Sequence, residues 1–370
     1  MIRLLHVITD TNIGGAGVHL LHLLKGYDRK NFTMEVVVPV GSRLVSLLTE
    51  INLPYTEMPN IAARSFSWRG VIKLYRYFKK KRPDIVHTHA SLSGRVAARL
   101  YGKCKIVHTR HTMAANVKKY RMGFINNWLS DIVIAVSPAV KEQILQTGIK
   151  KEKIRLVYNG VPPVRLLSDD EKDAVREQYG IKPGVFTVCM IARFAEKKGH
   201  DTVLDAAAGV KDDEFLILLA GNGPEEARIA KRIADEGIKN VKHIGFVNDT
   251  ASLLNIVDVQ LNASTDGAEA TSMSLLEGMS LGIPAVATHT GGNPYVIKNE
   301  INGLLVPERN AGALRKAILR LRNDRVLYKR VSEGAVKRYR DNFTAAEMVF
   351  KTEKIYNILT DSAHIKLIGE

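Results

Sequence analysis

The sequence predicts an α/β protein of two domains, each a parallel sheet covered by helices, and three observations carry that reading. A chain of 370 residues with 45% apolar content is long enough to fill two ordinary cores. Short apolar runs alternate along it with longer amphipathic stretches, the pattern of strands joined by crossover helices. A polar stretch around 161–172, with Pro162, Pro163 and a helix-start signal SDDEK, separates two such series and reads as a hinge.

In the first series, IRLLHVIT, FTMEVVVPV, DIVHTH, KIVHTRH, DIVIAVS and IRLVYNG read as buried strands. GVHLLHLLKGY and WRGVIKLYRYFKKK supply helical patterns between them. In the second of these, Val71, Ile72, Leu74, Tyr75 and Phe78 should face a core or an interface, and Arg69, Lys73, Arg76 and Lys80 should remain outside. The second series repeats the architecture without repeating the sequence, in FTVCMIA, EFLILLAG, VKHIGF, DVQLNAS, IPAVATH and NGLLVP.

Met1 leads directly into an apolar strand rather than a charged leader with a cleavage site, and no apolar run reaches membrane-spanning length, so a cytoplasmic protein is expected. Cys104 and Cys189 lie in separate apolar segments without metal-type spacing, which favours reduced core thiols. The charge is lopsided. Residues 1–165 hold 27 Lys and Arg against 9 Asp and Glu, a net +18, and since the whole chain is +16 the remainder is −2. Between Met58 and Ser130 the only acid is Asp84, so the first half should seek an anionic partner.

The chemistry concentrates in Ser264 to Gly292, STDGAEATSMSLLEGMSLGIPAVATHTGG, where Glu269 and Glu277 flank a run of small hydroxyl residues. A helix beginning near Ser274 would put Glu269 in the preceding loop and Glu277 about one turn inside. Its N-terminus, with unpaired N–H groups and the positive end of a dipole, could hold a phosphate. Carboxylates make poor phosphate ligands and good hydroxyl acceptors, so the arrangement suits a diphosphate with polyols at both ends, a nucleotide sugar. Ser274 and Glu277 also fit an S-x-x-E capping box, which needs no ligand. Upstream, FTVCMIARFAEKKGHDTVLDAA reads as strand, loop and a helix opening near His200. Arg193, Lys197 and Lys198 precede that helix N-terminus, where cations are misplaced unless an anion joins them.

The order ARFAEKKG, LLAGNGPE, HIGFVND, EATSMSLLEGMSLGIPAVAT, GG and NGLLVP resembles the donor half of the family 4 retaining glycosyltransferases. GGAG, DIVHTH, VHTRH, AVSPAVKEQI and VYNGV match the other half, so the resemblance covers nearly the whole chain. It implies the GT-B fold, two Rossmann-like domains facing across a cleft. An acceptor-side domain would span 1–162 and a donor-binding domain 163–344, with a C-terminal helix in 345–370 packing back on the first. It also implies roles for particular residues. Glu269 would accept hydrogen bonds from sugar hydroxyls and Glu277 from the ribose. Arg193 and Lys198, with backbone groups of Ala270, Thr271, Ser272, Met273 and Ser274, would stabilise the departing diphosphate.

Phe246 and Val247 would form a base platform, and the Gly221, Asn222 loop would approach the nucleotide, although Gly-Pro before a helix is also ordinary turn chemistry with Pro at the first helical position. Gly14, Gly15 and Ala16 would approach the diphosphate. GGAG is not GxGxxG and no acid ends the second strand, which argues against a nicotinamide site. His111 would contact the transferred sugar, whereas His6, His19, His22, His87 and His89 read as structural. Two positions depart from the family pattern: Thr112 follows His111 where an aspartate is usual, and Tyr295 in GGNPYVI replaces an acid.

The expected activity is a retaining, metal-independent transfer of a hexosyl or N-acetylhexosaminyl group from a nucleotide sugar to a lipid-linked or envelope-glycan acceptor. A UDP-sugar is the favoured co-substrate and no cofactor is needed. Arg76, Lys79, Lys80, Lys81, Arg82, Lys118, Lys119 and Arg121, with Tyr120, Met122 and Phe124, form the patch expected to meet acceptor or anionic membrane, placing the protein peripherally on the inner face of the cell membrane. A GDP-mannose-dependent mannosyltransferase, a GT-B nucleotide-sugar epimerase and an inactive nucleotide-sugar sensor remain as alternatives. Nucleic-acid binding driven by the basic charge is disfavoured because no aromatic-interleaved reading motif is present.

Overall fold

A computed structural model describes residues 1–11, 13–61, 66–113, 121–208, 210 and 215–361, at 121 and 122 for the backbone only. Lys118, Lys119 and Tyr120, and the side chains of Arg121 and Met122, therefore lie outside the described residues. The chain divides into two compact units, Met1–Gly160 with Ala345–Glu370, and Val161–Thr344.

The first unit contains β1 (Ile2–Ile8), β2 (Phe32–Pro39), β3 (Tyr55–Met58), β4 (Ile85–His89), β5 (Lys105–Arg110), β6 (Ile132–Ala135) and β7 (Ile154–Leu156). They form one parallel sheet in the order β3-β2-β1-β4-β5-β6-β7. The second unit contains β8 (Thr187–Ile191), β9 (Leu216–Ala220), β10 (Val241–Gly245), β11 (Val259–Asn262), β12 (Ala285–Thr288) and β13 (Gly303–Val306), in the order β10-β9-β8-β11-β12-β13, again parallel. These are the two Rossmann-like sheets of the GT-B fold. The burial of nearly every residue in β4 and β8 explains why such strands read as continuous apolar runs rather than alternating ones.

The last helix, Ala345–Thr360, belongs to the first unit and packs on the helix Gly15–Gly26. Its Tyr356 is fully buried, with its hydroxyl 2.8 Å from that of Tyr27 and 2.5 Å from His87 Nδ1. The polar stretch read as a hinge contains the start of the second unit. There Val161 N–H donates to Phe343 O at 3.0 Å and Tyr339 hydroxyl to Val161 O at 2.9 Å. The SDDEK signal opens the helix Asp169–Gln178 with a capping box formed by Ser168 and Glu171.

Two local expectations are corrected. In the helix Trp68–Lys81, Val71, Leu74 and Phe78 are buried, but Ile72 is 50% exposed, because it lies about 100° round the helix from Val71 and outside the Val71–Leu74–Phe78 stripe. Lys81 on the same helix is engaged with Glu35 at 2.8 Å, so it is not a free member of the basic patch. Among the described residues no helix is long and apolar enough to cross a membrane. Cys104 and Cys189 are free thiols, and burial pushes Cys104 up to about 12.

Candidate nucleotide-sugar site

In an open α/β sheet the crevice for a ligand opens where neighbouring strands send their following loops to opposite faces. In the second unit that point lies between β8 and β11, which pair directly while β9 flanks β8 on the other side. The loop after β8 carries Arg193 and Lys198, and the loop after β11 carries Glu269. The fold thus brings together residues separated by about seventy positions in sequence.

Lys198 Nζ lies 2.7 Å from Glu269 Oε2. Asn262 Nδ2 and Ser264 Oγ donate to the same oxygen at 3.2 and 3.3 Å. The pair is largely sheltered, with the lysine side chain 26% and the glutamate side chain 10% exposed. The two loops are fastened together by Thr265 N–H donating to Lys197 O at 2.9 Å. Gly199, at φ 76°, makes the approach possible, since a Cβ there would come within 2.0 Å of Ala263 O. Arg193 is exposed, and among the described residues no ion pair holds it.

Behind Glu269 the chain is held from a third loop. Gly292 N–H donates to Glu269 O at 2.7 Å, so close that a Cβ on Gly292 would meet Ala270 O at 1.9 Å. The buried Asn293 amide donates to Asn262 Oδ1 at 3.2 Å and to Thr288 O at 3.0 Å. Tyr295, where the family usually has an acid, sits in the short turn Asn293–Val296, with Lys298 Nζ 5.9 Å above its ring.

The helix after Glu269 runs Met273–Ser280 with Ser272 at its N-cap, and no side chain caps it. The Ser274–Glu277 capping box does not form. Ser274 Oγ faces Ile191 O at 3.4 Å and Ser272 Oγ at 3.1 Å, while the Glu277 carboxyl accepts from Thr250 Oγ1 at 3.3 Å. Glu277 is therefore not used as a helix cap. Among the described residues no cation stands beside its carboxyl, and burial raises it to about 7.

The remaining second-unit candidates occupy adjoining loops. Gly221 N–H donates to Gly245 O at 2.8 Å, and Phe194 N–H to Asn222 O at 2.8 Å, which ties the loops after β8, β9 and β10 together. Phe246 presents an exposed ring beside the partly buried Val247. The helix after the Gly221 and Asn222 loop starts at Glu226 with Glu225 at its N-cap, so Pro224 precedes the helix rather than occupying its first position.

In the first unit the matching point lies between β1 and β4. The GGAG turn opens the helix Gly15–Gly26 with Gly14 at the N-cap, and Ala16 is partly buried in its first turn. A Cβ on Gly15 would meet nothing within 4 Å, so packing among the described residues does not require a glycine there. His111 follows β5. Its Nε2 lies 3.0 Å from His89 Nδ1, whose other nitrogen lies 3.2 Å from His6 Nδ1. Burial holds His6, His89 and His111 well below the usual histidine range, so the rings are neutral at pH 7.

Sequence reasoning missed Asn262 and Ser264, which donate to Glu269, Thr250, which donates to Glu277, and Asn293, which holds Asn262. The signal for the first two was present in DVQLNAS, where polar residues close an otherwise apolar strand at its carboxyl end.

The chain matches the family described as Glycosyl transferases group 1 over residues 171–338, and Glycosyltransferase Family 4 over residues 13–165. It is 25% identical to the UDP-Gal:alpha-D-GlcNAc-diphosphoundecaprenol alpha-1,3-galactosyltransferase of Escherichia coli over 94% of this chain and 97% of that one. It is 26% identical to the N-acetyl-alpha-D-glucosaminyl L-malate synthase of Bacillus anthracis over 80% of each. Among solved structures it is similar to a glycosyltransferase of Rickettsia africae, with TM-score 0.85 and 23% identity over 98% and 99% of the two chains. It is also similar to HepE of Anabaena in complex with UDP and glucose, with TM-score 0.85 and 20% identity over 96% and 100%.

Proposed function

The chain belongs to the family 4 glycosyltransferases, and from that premise we propose that it moves a hexosyl or N-acetylhexosaminyl group from a UDP-sugar, with retention, to a lipid-linked or envelope-glycan acceptor. The observation that carries the donor half is the convergence of Lys198, Glu269 and an uncapped helix N-terminus at the switch point of the second sheet. In the resting state Lys198 neutralises Glu269. An arriving diphosphate competes for the ammonium, and sugar hydroxyls compete for the carboxylate, so one ion pair is exchanged for two charge-assisted contacts. Arg193 and the first amides of the helix Met273–Ser280 complete the anion site, where charge that grows on the departing diphosphate is stabilised most strongly. Glu277 takes the ribose hydroxyls, and His111 is the first unit's contribution to sugar contact. Because the positive charge comes from side chains and a helix end, no metal is required. The E. coli relative's name, with a UDP-sugar donor and a diphosphoundecaprenol-linked acceptor, supports the same substrate classes.

The acceptor would be met at an anionic membrane surface. The helices Trp68–Lys81 and Arg121–Leu129 both pack on the helix Leu92–Tyr101, so they share one layer of the first unit. The first offers Arg76, Lys79, Lys80 and, just past its end, Arg82, all exposed. The second offers Phe124, 79% exposed, and Trp128, 55% exposed. Basic and aromatic side chains on the same layer suit a headgroup region, each cation contributing about 1 kcal/mol near an anionic surface.

A panel of nucleotide sugars scored by thermal stabilisation identifies the donor, since a ligand of the folded state raises the apparent melting temperature by mass action. Incubation with the stabilising donor and candidate acceptors then separates transfer from isomerisation, and the anomeric configuration of the product gives the stereochemistry. A donor that is isomerised without any transfer would replace this reading with an epimerase.

A further inference from the structure

The first unit holds an unusual density of neutral imidazole. His19, on the helix Gly15–Gly26, and His89, at the end of β4, are almost completely buried, whereas His111 is partly exposed. One ring nitrogen of each lies within 4.8 Å of those of the other two. The His89 and His111 rings are stacked with their facing nitrogens 3.0 Å apart, and the His19 ring stands edge-on to His111 with centroids 4.7 Å apart. His19 Nδ1 lies 2.9 Å from Asn159 Oδ1, an oxygen that can only accept. The proton of His19 is thereby fixed on Nδ1, and Nε2 is left as a buried lone pair with no partner among the described residues. The row His6–His89–His111 is equally unsettled. Among the described residues its outer nitrogens, His6 Nε2 and His111 Nδ1, have no partner, so with one proton per ring one end is a bare N–H and the other a bare lone pair.

From this juxtaposition we propose that His19, His89 and His111 form a three-nitrogen site for a zinc-class divalent transition-metal ion, and that filling it arrests sugar transfer. The second clause rests on the role given to His111 above. Nitrogen ligands at about 2.0–2.1 Å in a tetrahedral set stand about 3.3 Å apart, so the His89–His111 pair has to open by only about 0.3 Å while His19 closes in. Three ligands leave one position open, where a water or hydroxide completes the shell.

No ring needs to gain or lose a proton overall. A proton on the facing nitrogen of His89 moves to its Nε2, and one on that of His111 moves to its Nδ1. His89 Nε2–H then donates to His6 Nδ1, whose own proton resides on Nε2. The His89–His6 and His19–Asn159 contacts become the outer hydrogen bonds that orient metal-ligating histidines. Because coordination fixes His111 and covers one of its nitrogens, the metal-loaded enzyme cannot offer that ring to a sugar.

The test titrates metal-free wild-type protein with Co²⁺ and Zn²⁺. The expected result is one ion per chain, an intense tetrahedral Co²⁺ absorption that Zn²⁺ abolishes, at least a hundredfold weaker binding in His19→Gln, and unchanged binding in His108→Gln, a histidine outside the set. Absence of the tetrahedral spectrum in the wild type overturns the site whether or not any variant folds. Equal binding by folded His19→Gln means an adventitious ion elsewhere and overturns it as well. Transfer activity is read in parallel: EDTA-treated enzyme should be active and lose at least tenfold on adding one equivalent of Zn²⁺. A tetrahedral spectrum with undiminished transfer overturns the arrest. An EDTA-treated enzyme inactive with every nucleotide sugar counts against the transferase reading, while the spectrum still decides the site.

Discussion

Replacing Glu277 by glutamine should stabilise the unliganded protein and weaken its hold on nucleotide at the same time. Burial without a cation raises this carboxyl from 4.5 to about 7 in the folded chain. Below pH 4.5 it is protonated in both states and contributes nothing to the pH dependence. Between 4.5 and 7 the unfolded chain releases the proton while the folded chain keeps it, so stability falls as pH rises. Above 7 both are ionised and the loss is constant at about 3 kcal/mol. The amide of the Glu277→Gln variant cannot ionise. That variant should match the wild type near pH 4.5 and exceed it by up to about 3 kcal/mol at pH 8 in urea unfolding. Ribose hydroxyls donating to the carboxylate favour the ionised form, so nucleotide binding at pH 6 should release about 0.9 proton per UDP. Titration calorimetry in buffers of different ionisation enthalpy measures that number directly. UDP binding with no buffer dependence at pH 6, or the same proton release in Glu277→Gln, would refute the assignment of Glu277 to the nucleotide.

Lys198→Ala should lower turnover on the order of a hundredfold or more and also destabilise the fold by about 2 kcal/mol, because Glu269 is left sheltered with neutral donors only. Arg193→Ala should lower turnover similarly but shift stability by less than about 0.5 kcal/mol, since the side chain is exposed; steady-state kinetics paired with chemical denaturation separates the two. Glu269→Gln should impair sugar handling while UDP affinity stays nearly normal, and equal losses of UDP and UDP-sugar affinity would contradict its role. Transfer should survive EDTA, and activity lost to the chelator and restored by Mn²⁺ or Mg²⁺ would overturn the metal-independent chemistry. Sedimentation with anionic liposomes should fall as salt rises and when Lys79, Lys80 and Arg82 are neutralised; a protein that ignores such liposomes at low salt has no membrane role for this patch.

All six strands of the second unit were legible because most are buried on both faces and read as largely apolar runs between turn residues. β3 was not, because YTEM is an edge strand, mostly only half-buried, and alternates too weakly to register. The glutamates and the cations could be found in sequence, since each sits beside a helix start where its charge needs a reason. Their pairing could not, because Lys198 and Glu269 meet only through the β8–β11 neighbourhood, and strand order is not written in local pattern. The histidine cluster was hidden for a related cause. A lone buried histidine carries little information, and only the adjacency of β1, β4 and β5 stacks several into one network.

Tyr356 places a keystone of the first unit near the far end of the chain. Its hydroxyl meets Tyr27 across 329 positions and His87 across 269, whereas the second unit is one uninterrupted segment, Val161–Thr344. On a ribosome the usual order of maturation is thereby inverted. The second unit is complete once Thr344 has emerged, but the first must wait with the faces of His87 and Tyr27 uncovered until the final helix is made. A chain stopped short of residue 345 would carry an intact second unit joined to an unfinished first. Pulse proteolysis of stalled nascent chains should find the downstream unit resistant while the upstream unit is still cut.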